Sequence, residues 1–215
     1  MNLSGSELEG RFKEVAKSIY IGELISESFC NDLLLEIRDF QDWKQAKIAI
    51  SRKNNEGISE ILEVIDTNHR SANSIRLSDL NSNEIPIIVQ SLKKIQTLVG
   101  EFATKEFGLT FNEFGDAELI RYNVGGLFKP HTDAHNENSH RALTVITYLN
   151  DNYTGGETYF PDQNYKCIPK TGRVLFFLSS ELHASLPIIE GNKNIIVFWA
   201  FYPGSIGRKN IKSFP

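Results

Sequence analysis

Cysteine is scarce in this chain: Cys30 and Cys167 are the only two among 215 residues, and they form no spacing motif. They read as buried, reduced thiols of a cytoplasmic protein. Long apolar runs are also missing. None approaches the ~20 residues of a membrane span, so no membrane partner is expected. The first residues, Met-Asn-Leu-Ser-Gly-Ser-Glu-Leu-Glu, are polar and acidic and make no secretory signal. A cationic surplus is lacking too. The formal net charge is -4, which carries no basic footprint for nucleic acid. There is no internal repeat, no low-complexity tract and no linker-like stretch. What is present is 40% hydrophobic residues, with 14 Phe and 7 Tyr. That suits one domain over residues 1–215 with a β-rich interior.

In chain order, residues 1–17 read as a polar lead-in with a helical turn, and Ile19-Tyr20-Ile21 as a short strand. Ser26 can cap a helix over 26–40, since Phe29, Leu33, Ile37 and Phe40 form one stripe. Residues 43–50 read as a strand and 51–60 as a polar loop. The stretch 63–80, with Asp66-Thr67-Asn68-His69-Arg70-Ser71, is rich in turn formers. Pro86 suits a first helical turn. Ile88, Leu92, Ile95, Val99 and Phe102 then step by helical intervals, and Gly108 fits the C-cap. From Ala117 the segments become short, apolar and β-branched, broken by Gly, Pro or Asn. Strands are expected near 117–122, 127–132, 142–149, 157–160, 165–168, 173–178, 183–188 and 194–202. Eight short strands suggest a jelly roll or barrel, with N-terminal helices packed outside one sheet. The fold class is therefore mostly β with N-terminal helices (α+β).

Tyr122 to Asp133 reads Tyr-Asn-Val-Gly-Gly-Leu-Phe-Lys-Pro-His-Thr-Asp. Its end sets an imidazole and a carboxylate two positions apart. On a strand such residues share a face, so His131 and Asp133 can hold one ion from one side. His183, after the apolar run Leu-Phe-Phe-Leu, offers a third ligand. Two histidines and one carboxylate, with positions left open, are the facial triad of non-haem Fe(II) oxygenases. Lys193 follows ten residues after His183, across the Gly191 turn. A buried lysine needs an anion. From a neighbouring strand it can reach the same cavity and hold the distal carboxylate of a dicarboxylic co-substrate. A His-x-Asp pair alone is a weak signal; these neighbours carry the reading. His135, His140 and His69 read as loop or structural histidines, and Arg208, Lys209 and Lys212 as a solvated basic tail.

The stretch 117–203 resembles the catalytic domain of the prolyl 4-hydroxylase-like Fe(II)/2-oxoglutarate dioxygenases. The matching pieces are Arg121-Tyr122 with His131-x-Asp133, Arg141-Ala-Leu-Thr-Val-Ile-Thr-Tyr-Leu-Asn150, Gly155-Gly-Glu-Thr-Tyr-Phe-Pro161, Pro169-x-x-Gly172, and His183 with Pro187, Gly191, Lys193 and Trp199. A weaker match extends upstream through Arg70-Ser71. The resemblance implies a double-stranded β-helix (cupin-like jelly roll) over 117–203, supported by residues 1–116. It implies His131, Asp133 and His183 as catalytic metal ligands and Lys193 as the 2-oxoglutarate anchor. It places Tyr122, Tyr148 and Thr158 in the co-substrate pocket, and Arg141 and Trp199 at the substrate. Fe(II), 2-oxoglutarate and O2 are the implied cofactors, with ascorbate as an accessory reductant. Because a carboxylate stands at Asp133, hydroxylation is favoured over the halogenation of relatives with a small residue there.

Two positions depart from peptidyl-prolyl members. Phe128 stands where a tyrosine is usual, and Phe201 where a histidine is frequent. The expected substrate is therefore a small molecule, an amino-acid derivative or a different peptide, hydroxylated at an unactivated C–H as 2-oxoglutarate is decarboxylated to succinate. The rivals are peptidyl-prolyl 4-hydroxylation, a desaturase or cyclase using the same iron chemistry, and a non-catalytic jelly-roll binding protein. A monomer or homodimer is expected.

Overall fold

The computed structural model describes residues 11–53, 59–80, 86–134 and 138–205. Residues 1–10, His135 and the basic tail with Arg208, Lys209 and Lys212 lie outside the described residues. The described residues open with the hairpin β1 (Phe12–Ala16) and β2 (Ile19–Glu23), then α1 (Glu27–Glu36). Next come β3 (Lys44–Gln45), β4 (Ile48–Lys53), β5 (Ser59–Val64), β6 (Arg70–Ser71) and β7 (Asn73–Arg76). A 3-10 turn (Leu77–Asp79) precedes α2 (Pro86–Phe107). The remainder is strands: β8 (Glu118–Tyr122), β9 (Leu127–His131), β10 (Arg141–Tyr148), β11 (Thr154–Gly155), β12 (Thr158–Phe160), β13 (Tyr165–Cys167), β14 (Arg173–Leu178), β15 (His183–Ser185), β16 (Ile188–Glu190) and β17 (Lys193–Phe201).

The protein is mostly β. An eight-stranded antiparallel sheet runs β1-β2-β14-β10-β17-β8-β7-β3, and a five-stranded one β13-β12-β15-β9-β6. Period-2 alternation splits the large sheet into two faces. Leu119, Val145, Phe176, Ile196 and Phe198 share one buried cluster with Leu33 of α1, with Ile37 just past its end, and with Ile88, Leu92, Ile95 and Val99 of α2. Their neighbours Ile120, Ile146, Phe177, Ile195 and Val197 belong to a second cluster with Phe160 and Cys167 of the small sheet. The second cluster lies beside the cleft that carries the candidate site. Phe176 is fully buried, lies parallel to Tyr20 at 5.0 Å and meets Phe12 edge-on at 5.2 Å. Phe176→Ala is therefore expected to cost ~3–5 kcal/mol, read from the shift in denaturant midpoint.

Several expectations are corrected. Phe12–Ala16 is an edge strand, not a lead-in or helical turn. Its order comes from pairing with β2 across a turn in which Ser18 takes φ 61. The 51–60 loop is instead the strand ends of a hairpin: β4 runs to Lys53 and β5 starts at Ser59, with 54–58 outside the described residues. The 43–50 strand divides into β3 and β4. The first helix stops at Glu36, with Ile37 as its C-cap, so Phe40 lies beyond it. Ser26 does cap it, its side chain accepting from the Phe29 amide at 3.3 Å. The eight expected strands become ten. Thr154–Gly155 adds one, and 183–188 divides around Pro187, which has no amide to donate. Both long-helix signals hold: α2 starts at Pro86, and Gly108 ends it at φ +67.

Candidate active site

Strand pairing brings the two histidines together. β9 and β15 are antiparallel neighbours, and His131 stands directly opposite His183. Their ring centroids are 4.2 Å apart. Phe128 closes the other side of His131, nearly parallel at 3.5 Å. Asp133 follows the end of β9, where its amide and that of Ala134 both donate to the Ser179 carbonyl at 2.9 Å. The candidate ligand atoms of His131, Asp133 and His183 all lie within 4.8 Å of one another. Each histidine Nε2 is 3.7 Å from a different Asp133 oxygen.

The outer faces of the rings fix their tautomers. Nδ1 of His131 lies 2.8 Å from the Lys129 carbonyl, and Nδ1 of His183 lies 3.0 Å from the Glu181 carbonyl. A carbonyl only accepts, so each Nδ1 carries the hydrogen and each Nε2 presents a lone pair to the centre. Burial, reinforced by His183, pushes the His131 pKa down to about 3, which keeps it neutral. Burial alone would raise the Asp133 carboxyl. The adjacent histidines, Arg141 and the Thr144 hydroxyl outweigh that and hold it well below the usual carboxylate range. Two imidazoles turned with Nε2 toward the centre and one ionised carboxylate are the donor set that a divalent iron takes.

Two further side chains set Asp133. Thr144 and Trp199 are paired across β10 and β17. Thr144 Oγ1 donates to Asp133 Oδ2 at 2.7 Å, and the Trp199 indole N–H donates to the same oxygen at 3.1 Å. With Oδ2 doubly engaged, Oδ1 is the freer ligand atom. Arg141 lies 3.6 Å over the Trp199 ring. Trp199, expected at the substrate, thus also touches the candidate metal ligand. Thr144 is a site residue that neither spacing nor resemblance singles out. Its signal was available: on β10 it shares a face with Ile146 and Tyr148.

Lys193 begins β17, opposite Tyr122 of β8, and is 1% exposed. Its Nζ donates to the Gly156 carbonyl at 2.7 Å and the Ser185 hydroxyl at 2.9 Å. Burial pushes its pKa down to about 7, against an upward pull from Cys167 and Glu157. Among the described residues no carboxylate lies within ion-pairing distance of it. Tyr148 and Thr158 join hydroxyls at 2.6 Å in the same buried region. Tyr122 and Tyr148 face the ammonium at 5.2 and 5.6 Å. A cleft of about 990 Å³ joins this end to the histidines and continues outward past Arg141 and Phe128 to β4 and β5. His69 also lines it. Phe201 is buried beside His140 and Gly115 rather than in the cleft, so of the two departures only Phe128 borders it.

Comparison with known proteins fits this arrangement. Residues 117–201 match the 2OG-Fe(II) oxygenase superfamily. The chain is 28% identical over 162 residues to a candidate prolyl 4-hydroxylase of Acanthamoeba polyphaga mimivirus, covering 66% of this chain and 62% of that protein. It is 26% identical over 150 residues to the human prolyl 4-hydroxylase subunit alpha-1, covering 60% of this chain and 26% of the subunit. It thus spans less than two thirds of these relatives. In fold it resembles a Pseudomonas putida prolyl-4-hydroxylase with TM-score 0.67 at 15% identity, covering 87% of this chain and 94% of that one. It also resembles a Trichoplax adhaerens prolyl hydroxylase solved with a hypoxia inducible factor peptide, with TM-score 0.66 at 17% identity, covering 86% and 84%. Residues 117–201 therefore resemble a 2OG-Fe(II) oxygenase, and the proteins to which the chain is similar carry the names of prolyl hydroxylases. Among the described residues no helix is long and apolar enough to cross a membrane.

Proposed function

We propose that this protein is an Fe(II)/2-oxoglutarate-dependent hydroxylase of an unactivated C–H in a small molecule, an amino-acid derivative or a peptide. The observation that carries the reading is one cleft holding a His131–Asp133–His183 donor set at one point and a buried, carboxylate-free lysine at another. The scaffold is a double-stranded β-helix over 117–203 with α1 and α2 backing the larger sheet, and residues 1–116 complete one domain. The buried thiols Cys30 and Cys167 support a reducing, cytoplasmic setting.

His131, Asp133 and His183 would hold Fe(II), with Nε2 atoms aimed by the carbonyls of Lys129 and Glu181. Lys193 would hold the distal carboxylate of 2-oxoglutarate, with Tyr148 and Thr158 beside it. The bound pair supplies the oxidising chemistry: O2 is consumed, 2-oxoglutarate becomes succinate and CO2, and one oxygen atom enters the substrate. The chain's residues orient and shield that chemistry. Thr144 and Trp199 fix the carboxylate, and Phe128 and Phe160 keep apolar surface near the histidines. Thr144→Val and Trp199→Phe each remove one hydrogen bond to Asp133. Each is expected to weaken metal affinity ~10–100-fold, measured by anaerobic Co(II) titration.

Hydroxylation of peptidyl-proline fits equally well, because the relatives are prolyl hydroxylases. The non-prolyl reading rests on Phe128, which borders the cleft. Fe(II)-dependent succinate formation, with product mass for each added substrate, tests the reading. No succinate from folded, iron-loaded protein across small-molecule and proline-peptide panels would leave the binding-protein alternative.

A further inference from the structure

Six basic side chains line the cleft: Lys44, Lys47, Arg70, Arg76, Arg141 and Lys193. Four are matched by carboxylates. Lys44 meets Asp79 at 3.6 Å, Lys47 meets Glu63 at 3.5 Å, Arg70 meets Glu118 at 3.7 Å and Arg76 meets Glu63 at 2.9 Å. Among the described residues, Arg141 and Lys193 make no direct ion pair with a carboxylate, although Asp133 and Glu118 lie near enough in the cleft to act on the Arg141 charge. The Lys193 ammonium has two protein acceptors and, under the proposed function, the co-substrate. Arg141 has the Trp199 ring, with its guanidinium carbon 3.6 Å from the centroid. An aromatic face satisfies part of the charge but none of the N–H donors.

The position of this cation matters. The Trp199 ring under Arg141 donates its N–H to Asp133, so only one indole separates the guanidinium from a candidate metal ligand. Apolar side chains border the same space: Phe128, Ile146 and Val197. A planar guanidinium fork matches a carboxylate with two parallel hydrogen bonds, which a neutral amide cannot reproduce.

We infer that the substrate is a small carboxylic acid whose carboxylate is held by Arg141, with the carbon to be oxidised only a few bonds away. The inference rests on the oxygenase reading and narrows its substrate from small molecules, amino-acid derivatives and peptides to free acids. The remainder of such a substrate is short and apolar, and lies against Phe128, Ile146 and Val197.

The test is anaerobic calorimetry on protein loaded with Fe(II) and saturating 2-oxoglutarate. The titrants are matched acid and primary-amide pairs: N-acetyl-L-proline, N-acetyl-L-leucine and hexanoic acid, each with its amide. At least one acid should bind wild type roughly 10- to 100-fold more tightly than its amide. The preference should collapse to about equality in Arg141→Gln and return in part in Arg141→Lys. Equal binding of acids and amides overturns the inference, as does failure of every acid to bind. Preference for acids that survives in Arg141→Gln, or that disappears on raising 2-oxoglutarate, also overturns it by placing the carboxylate elsewhere or on Lys193. The visible absorption of the same wild-type sample separates the two readings. A charge-transfer band without acid preference defeats this inference alone, whereas no band defeats the oxygenase reading beneath it.

Discussion

His183→Ala is expected to abolish Fe(II) retention and 2-oxoglutarate turnover while leaving the fold in place. The loss should exceed the ~10–100-fold typical of removing an outer hydrogen-bond partner of a metal ligand. The reason is geometric. His183 and His131 face each other across β15 and β9, and the Asp133 carboxylate bridges between them. Removing one imidazole leaves two donors on one edge and an open, wet position opposite. Because His183 is 5% exposed, the truncation also leaves a void beside Phe177, whose ring lies 4.6 Å away. The unfolding midpoint therefore serves as a control, and only a modest shift is expected. His183→Gln, which fills the space without an imidazole, should show the same loss of metal with less change in stability. Metal content after anaerobic reconstitution and desalting checks both. Either variant retaining stoichiometric iron as tightly as wild type would remove His183 from the ligand set.

Lys193→Met should weaken 2-oxoglutarate binding by ~2–5 kcal/mol, the range for truncating one partner of a buried, hydrogen-bonded charge pair. That corresponds to roughly 30- to 4,000-fold in Kd. Methionine keeps the length and apolar stem, so the effect reports the ammonium. Iron affinity without co-substrate should change little, since the Nζ partners are Gly156 and Ser185 rather than a metal ligand. The pH dependence separates this role from a structural one. The folded Lys193 pKa, about 7, lies below the ordinary value of 10.5. Between those values the unfolded chain binds the proton and the folded chain does not. Stability of the apoprotein from this group therefore rises with pH from about 7 toward 10.5 and is lost as pH falls back toward 7. Co-substrate binding runs the other way, because a carboxylate favours the charged lysine. Affinity should fall as pH rises above 7, with about one proton taken up per ligand near pH 8.5. Calorimetry in buffers of different ionisation heat measures that uptake. In Lys193→Met both dependences should vanish.

The readable part of the chain is the part with continuous apolar runs between clear breaks. Arg173–Leu178 and Lys193–Phe201 carry apolar residues on both faces because each face is covered, by the helix-lined cluster on one side and the cleft-side cluster on the other. Their boundaries were legible in Gly172, Gly191 and Asn192. β1 and β5 were not, because they are polar edge or hairpin strands whose order comes from partners, not from their own pattern. The site divides the same way. His131 and Asp133 announce themselves by a two-residue spacing on a strand. Thr144 and Ser185 do not, since serine and threonine are common on strands and their importance lies in what stands opposite: Trp199 for one, the Lys193 ammonium for the other. Phe201 misled for a related reason. Strand alternation aims it at the cleft, but the register shift between Arg141 and Leu143 interrupts that pattern and it packs beside His140 instead.

The most direct measurement is anaerobic visible absorption of the purified protein with Fe(II), before and after adding 2-oxoglutarate. The expected result is a new charge-transfer band in wild type that saturates at one 2-oxoglutarate per protein. The band should be absent in His183→Ala and need far more co-substrate in Lys193→Met. A folded, iron-loaded wild type that shows no band at saturating 2-oxoglutarate would contradict the assignment of this cleft as an Fe(II)/2-oxoglutarate site.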